Sequence, residues 1–237
     1  MGTDDIHKKS KAKRTITKKR IEQKSVLIAL EDTKSSKFYF EELIKDKKLS
    51  GEVLFAKHIG TNPSNVIEAI VLHLAKNKET TYEKKWAIFD RDSWSKQDVN
   101  SAIYRAKQLD ICVGISNESY ELWLLLHFEE IRKYTSRQNL NSKLNKYFKD
   151  YFGVDYSKAS QDVYRYIIGL QKTAILNAEN LIKMHISANG AIDPEQNNPI
   201  TFIHQLVKCL NSLYNNEKYL YKNTINSTFN FTIFNFL

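Results

Sequence analysis

The chain has 237 residues, 36 Lys/Arg against 27 Asp/Glu and a formal net charge of +9, enough length to bury a sizeable core as one domain. Its 42% hydrophobic and 27% charged shares are those of an ordinary globular protein, and its longest apolar run, Leu122 to Phe128, is too short for a helical bilayer span. The N-terminus has no apolar signal segment and Cys112 and Cys209 sit in apolar surroundings, so a reducing, cytoplasmic setting is expected rather than a disulfide-stapled one.

The charge is unevenly placed. Residues 1 to 25 hold nine Lys/Arg against three Asp/Glu, +6 of the total. This basic N-terminal tail, set at residues 1–24 and including Lys19 and Arg20, can neutralise phosphates and release their counterions, which makes nucleic acid the leading partner. A merely solvated charged terminus is the plainer reading of the same residues.

After the tail, Val26-Leu27-Ile28-Ala29-Leu30 reads as a strand, and Phe40, Leu43 and Ile44 mark the face of a helix behind it. Val53 to Ala56 reads as a second strand. Asn62-Pro63 supplies an N-cap with Pro at the first helical position, and Ile67, Ile70, Val71 and Leu74 line one helix face. Trp86 to Phe89 forms a third strand ending in Asp90-Arg91-Asp92, Val99 to Ala106 a third helix, and Ile111 to Ile115 a fourth strand. Apolar strands without clear alternation, separated by amphipathic helices, predict an α/β fold with a parallel sheet covered by helices. A core over 25–130 is then followed by a mostly helical extension over 131–237. Phe229 to Phe236 alternates like a strand, with no evident partner.

In parallel sheets ligands sit beyond the carboxyl ends of the strands, and here those positions are acidic. Asp90 and Asp92 are two apart, so extended backbone through Arg91 would point both carboxylates the same way. Glu31 closes the first strand. If the first and third strands are neighbours, about 4.8 Å apart, the three acids gather within reach of Mg²⁺ or Mn²⁺, hard cations that take few carboxylates and keep waters for a substrate phosphate. Each acid alone is as readily a turn former or helix cap.

Glu31, the stretch Lys34-Ser35-Ser36 with Tyr39-Phe40, Phe89-Asp90-Arg91-Asp92, and above all Ser116-Asn117-Glu118-Ser119-Tyr120-Glu121-Leu122-Trp123-Leu124-Leu125-Leu126-His127-Phe128 resemble the RloB family of bacterial proteins over roughly residues 20 to 215. The resemblance implies a Toprim-like parallel sheet with a helical C-terminal extension, a fold shared with type IA topoisomerases, bacterial primases and OLD-type nucleases. It also implies a Mg²⁺-dependent nuclease site and a role in defence against phage. Carried over by position, the resemblance implies that Glu31 is the first Toprim acid, that Glu31 and the D-x-D pair Asp90 and Asp92 are the metal ligands, and that Glu121 is a further catalytic acid. Tyr156-Ser157-Lys158 resembles a Y-x-K stretch of the family. Many relatives carry Glu-Gly and Ser-Asn-Pro where this chain has Glu31-Asp32 and Asn117-Glu118, changes that touch turn geometry rather than the acids.

Among the cations, Lys34 and Lys158 are candidates for phosphate contact, whereas Arg91, alternating with the aspartates, should face away into a structural ion pair. His127, Trp123 and Tyr120 read as core residues. The expected activity is that of a hydrolase, a Mg²⁺- or Mn²⁺-dependent nuclease acting on DNA or RNA as an effector of anti-phage defence. The alternatives are a non-catalytic nucleic-acid-binding or signalling partner on the same scaffold, and nucleotidyl transfer of the primase kind. A defence-system protein partner and a homo-oligomer are both open on sequence grounds.

Overall fold

The computed structural model describes residues 22–214. Lys19, Arg20 and the alternating stretch at 229–236 lie outside the described residues. The elements run β1 (Glu22–Leu30), α1 (Ser35–Asp46), β2 (Val53–Phe55), α2 (Pro63–Lys76), β3 (Thr80–Asp90), α3 (Lys96–Gln108) and β4 (Cys112–Asn117). There follow α4 (Glu121–Leu125), α5 (Arg137–Phe152), α6 (Val163–Ile167), a 3₁₀ turn (Ile168–Leu170), α7 (Gln171–Asn189), β5 (Ile200–Thr201) and α8 (Ile203–Tyr214).

One five-stranded sheet has the order β2-β1-β3-β4-β5. The first four strands are parallel, and β5 pairs antiparallel with β4, Ser116 opposite Thr201. Val26 to Leu30 and Trp86 to Phe89 are buried at every position, so both faces of the central strands are covered and the period-2 signal is absent. Leu27 and Ile28 are wholly buried, each worth about 1.5–3 kcal/mol relative to exposure. β3 begins six residues earlier than its apolar run, because Thr80, Thr81 and Tyr82 pair with Glu22, Gln23 and Lys24 of β1. For the same reason the basic tail ends before Glu22 rather than at residue 24.

The helix starts follow local chemistry. Asn62 accepts the Ser64 N–H with Pro63 first in α2, Ser95 accepts the Asp98 N–H at α3, and Ser136 accepts the Asn139 N–H at α5. α5 ends at Gly153 with φ of 69°, the left-handed conformation that glycine tolerates best. The extension is mostly helical as expected, with Ile200-Thr201 adding a strand too short to leave an alternation signature. The buried run from Tyr120 to Phe128 is a five-residue helix, Glu121–Leu125, followed by a turn, and Asn117 before it is the last residue of β4.

From the carboxyl end of β1 the chain turns back to β2, whereas from that of β3 it proceeds to β4. The β1/β3 boundary is therefore where the strand order reverses, the place at which open parallel sheets hold ligands.

Candidate metal and phosphate site

Glu31 follows β1 and Asp90 ends β3, on adjacent strands in register. The Asp90 N–H donates to Glu31 Oε2 at 2.5 Å and the Trp94 indole N–H to Glu31 Oε1 at 3.3 Å. Asp92 joins them by a route other than extended backbone: β3 stops at Asp90, and Asp92 has φ of 40°. The turn is held by the Arg91 N–H on Ser116 O and the Asp92 N–H on Glu118 O. Asp90 Oδ2 and Asp92 Oδ2 converge on one guanidinium nitrogen, Arg137 Nη2, at 3.6 and 3.1 Å. Arg91 faces away, ion-paired with Glu195 at 2.7 Å and donating to the Asp92 and Trp94 carbonyls.

These acids floor a cleft of about 340 Å³ whose walls include Lys34, His58, Tyr120, Glu121, Arg137 and Lys158. Glu121, in the first turn of α4, is buried and accepts from Ser119 Oγ at 2.7 Å and from the Tyr156 hydroxyl at 3.4 Å. Its Oε1 pairs with Lys158 Nζ at 2.8 Å. Lys158 thus lines the cleft with its ammonium engaged by an acid. Asp32 accepts the Lys34 and Ser36 N–H groups at the start of α1. Glu118 accepts the Arg137 N–H through Oε2 at 2.6 Å.

The electrostatics separate the acids. Burial pushes Glu31 up to about 7, with the Asp92 and Asp32 charges adding to it against the hydrogen bonds from Asp90 and Trp94. Burial, reinforced by the Glu31 and Glu121 charges, drives Asp90 well above the carboxylate range against the Tyr120 backbone N–H and Arg137. Burial would raise Glu121 too, but the Lys158 charge and the hydrogen bonds from Lys158 and Ser119 outweigh it and hold the group below its ordinary value. His127 lies outside the cleft lining. Its Nδ1 faces the Trp123 and Leu124 carbonyls, and burial lowers it to about 4, the behaviour of a core histidine.

Among the described residues, no three His, Cys, Asp or Glu side chains converge closely enough to hold a metal ion as they stand. The donor set nonetheless fits a hard cation: two carboxylate oxygens, Asp90 Oδ2 and Asp92 Oδ2, already share one positive centre, with Glu31 on the neighbouring strand. Sequence reasoning missed Arg137, His58 and Trp94. His58 Nε2 donates to Glu31 O at 2.8 Å, and nothing in the local pattern around any of the three marks it as a neighbour of the acids.

A family model described as RloB-like protein matches residues 26–210, most of the chain. Neither the curated proteins nor the solved structures give a match. No helix among the described residues is long and apolar enough to cross a membrane.

Proposed function

The chain belongs to the RloB-like family, and on that premise we propose that it is a Mg²⁺- or Mn²⁺-dependent nuclease of Toprim type, a hydrolase of DNA or RNA phosphodiesters serving bacterial anti-phage defence. The observation that carries the reading is the convergence of Asp90 Oδ2 and Asp92 Oδ2 on one cation beside Glu31, at the β1/β3 boundary. The basic composition supports a polyanionic partner.

In this reading Asp90 and Asp92 hold the metal and Glu31 completes the acid set. A bound divalent ion supplies Lewis-acid stabilisation of the phosphoryl oxygens and an activated water. Glu31, bridged to the Asp90 amide and the Trp94 indole, is fixed on the cleft floor to accept a proton from water or return one to the leaving oxygen. Glu121 fixes Lys158 at the cleft wall, and Lys34, just before α1, lines the same cleft. Removing water from such a cleft strengthens each of these charge contacts.

The test is turnover by the purified chain on duplex DNA, total RNA and tRNA, with Mg²⁺, with Mn²⁺ and with EDTA. Metal-dependent products from at least one polymer are expected, and EDTA abolishes them. No cleavage of any polymer with either metal would overturn the reading.

A further inference from the structure

Arg137 stands in an unusual place for a side chain at the edge of an acid site. It is the first residue of α5, and its backbone N–H is spent on Glu118 Oε2 at 2.6 Å. The base of the side chain is therefore pinned while its guanidinium reaches the acids. There Nη2 meets Asp92 Oδ2 at 3.1 Å and Asp90 Oδ2 at 3.6 Å. The side chain is 38% exposed, so it has room to leave. Its Nε is buried and has no hydrogen-bond partner among the described residues, which leaves a guanidinium donor unspent in this arrangement.

The two oxygens that Arg137 engages are the ones a shared divalent cation needs. A hard cation takes carboxylate oxygens at about 2.0–2.1 Å in near-octahedral order, which leaves no place for a guanidinium facing the same atoms. The two positive groups also repel each other. A guanidinium is well shaped for another ligand in the same cleft, since its planar fork matches two oxygens of a phosphate.

We propose that Arg137 competes with a divalent cation for Asp90 and Asp92, and that on leaving them its guanidinium takes the substrate phosphate. Arg137 is thereby both the internal counter-ion of the acid pair and a phosphate-binding residue. The proposal rests on the metal-site reading given above and deepens it. It makes opposite demands on two affinities, which a purely structural ion pair does not.

The experiment is calorimetric titration of Mn²⁺ into the full chain and its R137Q and R137K variants, followed at saturating Mn²⁺ by titration of a phosphorothioate oligonucleotide. R137Q should bind Mn²⁺ about tenfold more tightly, the effect of removing one like charge from a partly exposed site. It should bind the oligonucleotide about tenfold more weakly. R137K, which keeps the charge, should stay within about threefold of the parent for Mn²⁺. Equal or weaker Mn²⁺ binding by R137Q overturns the proposal while leaving the metal site standing. Absence of Mn²⁺ binding by both the parent and R137Q overturns the metal site itself, and the proposal with it. A measurement on the unaltered chain guards against a folding defect: phenylglyoxal should modify Arg137 faster when Mn²⁺ is saturating, and an unchanged rate contradicts the exchange.

Discussion

The Arg137 guanidinium lies 3.1 Å from Asp92 Oδ2, and both residues are tied to Glu118. The Asp92 N–H donates to the Glu118 carbonyl and the Arg137 N–H to its carboxylate. One residue of the β4–α4 connection thus sets both ends of an ion pair whose members are 45 positions apart in the sequence. The acid pair depends on β3, on the β4 terminus and on α5 together, so its chemistry is a property of the assembled fold.

Glu31 gives a pH-dependent stability prediction, to be measured with EDTA present. Its folded value is raised from 4.5 to about 7, so its contribution is full below about 4.5 and is lost as pH rises through about 7. At pH 8 this amounts to about 3 kcal/mol. E31Q does not titrate and sacrifices part of the hydrogen bonding to Asp90 and Trp94. Its stability relative to the parent should therefore improve steadily from pH 5 to pH 8 in urea denaturation. A pH-independent difference would show that Glu31 is not held in a raised state.

The Glu121–Lys158 pair has the opposite sign. Glu121 sits below its ordinary carboxylate value, so the stability it contributes is present above pH 4.5 and disappears as pH falls further. K158A should cost about 1 kcal/mol at pH 7, modest because the lysine is 47% exposed, and the loss should shrink at pH 4. A double-mutant cycle with E121Q should return a coupling of similar size. Zero coupling would show that the ion pair contributes nothing to stability.

Gly114 tests the sheet. A Cβ there would lie 2.4 Å from Ile88 Cδ1, its cross-strand neighbour, and 3.6 Å from Ile203 Cδ1. G114A should destabilise by about 1–3 kcal/mol through overpacking, and I88V, which removes that methyl, should restore most of the loss. Failure of I88V to rescue would place the strain in the backbone instead.

Removal of residues 1–21 leaves β1 whole. The shortened chain should lose nucleic-acid affinity and much of its salt dependence while keeping metal-dependent turnover. Loss of turnover at saturating substrate would give the tail a role in the chemistry, and unchanged affinity would make it a solvated terminus.

The succession of β1 to β4 along the chain, the Asn62 cap with Pro63 behind it and the acids at strand ends are legible because each depends on residues close in sequence. β5 is not, because two residues carry no periodicity and the pairing of Thr201 with Ser116 spans 85 positions. Arg91 faces away as alternation suggests, although the strand stops at Asp90 and what holds the side chain there is its pairing with Glu195. The αL turn at Asp92 was not foreseen, since a D-x-D triplet at a strand end reads as continued extension until the Glu118 carbonyl takes its N–H. Arg137 stayed hidden for the same reason that makes it important: its partners come from β3, and its own neighbours in α5 read only as a helix start.

The most direct test is cleavage by the parent chain, D90N and D92N, with circular dichroism and thermal unfolding recorded on the same samples. A metal site built on Asp90 and Asp92 requires metal-dependent cleavage by the parent, a loss of about 100-fold or more in each variant through removal of a metal-holding oxygen, and unchanged secondary structure. Full activity in a folded D90N or D92N protein would contradict it.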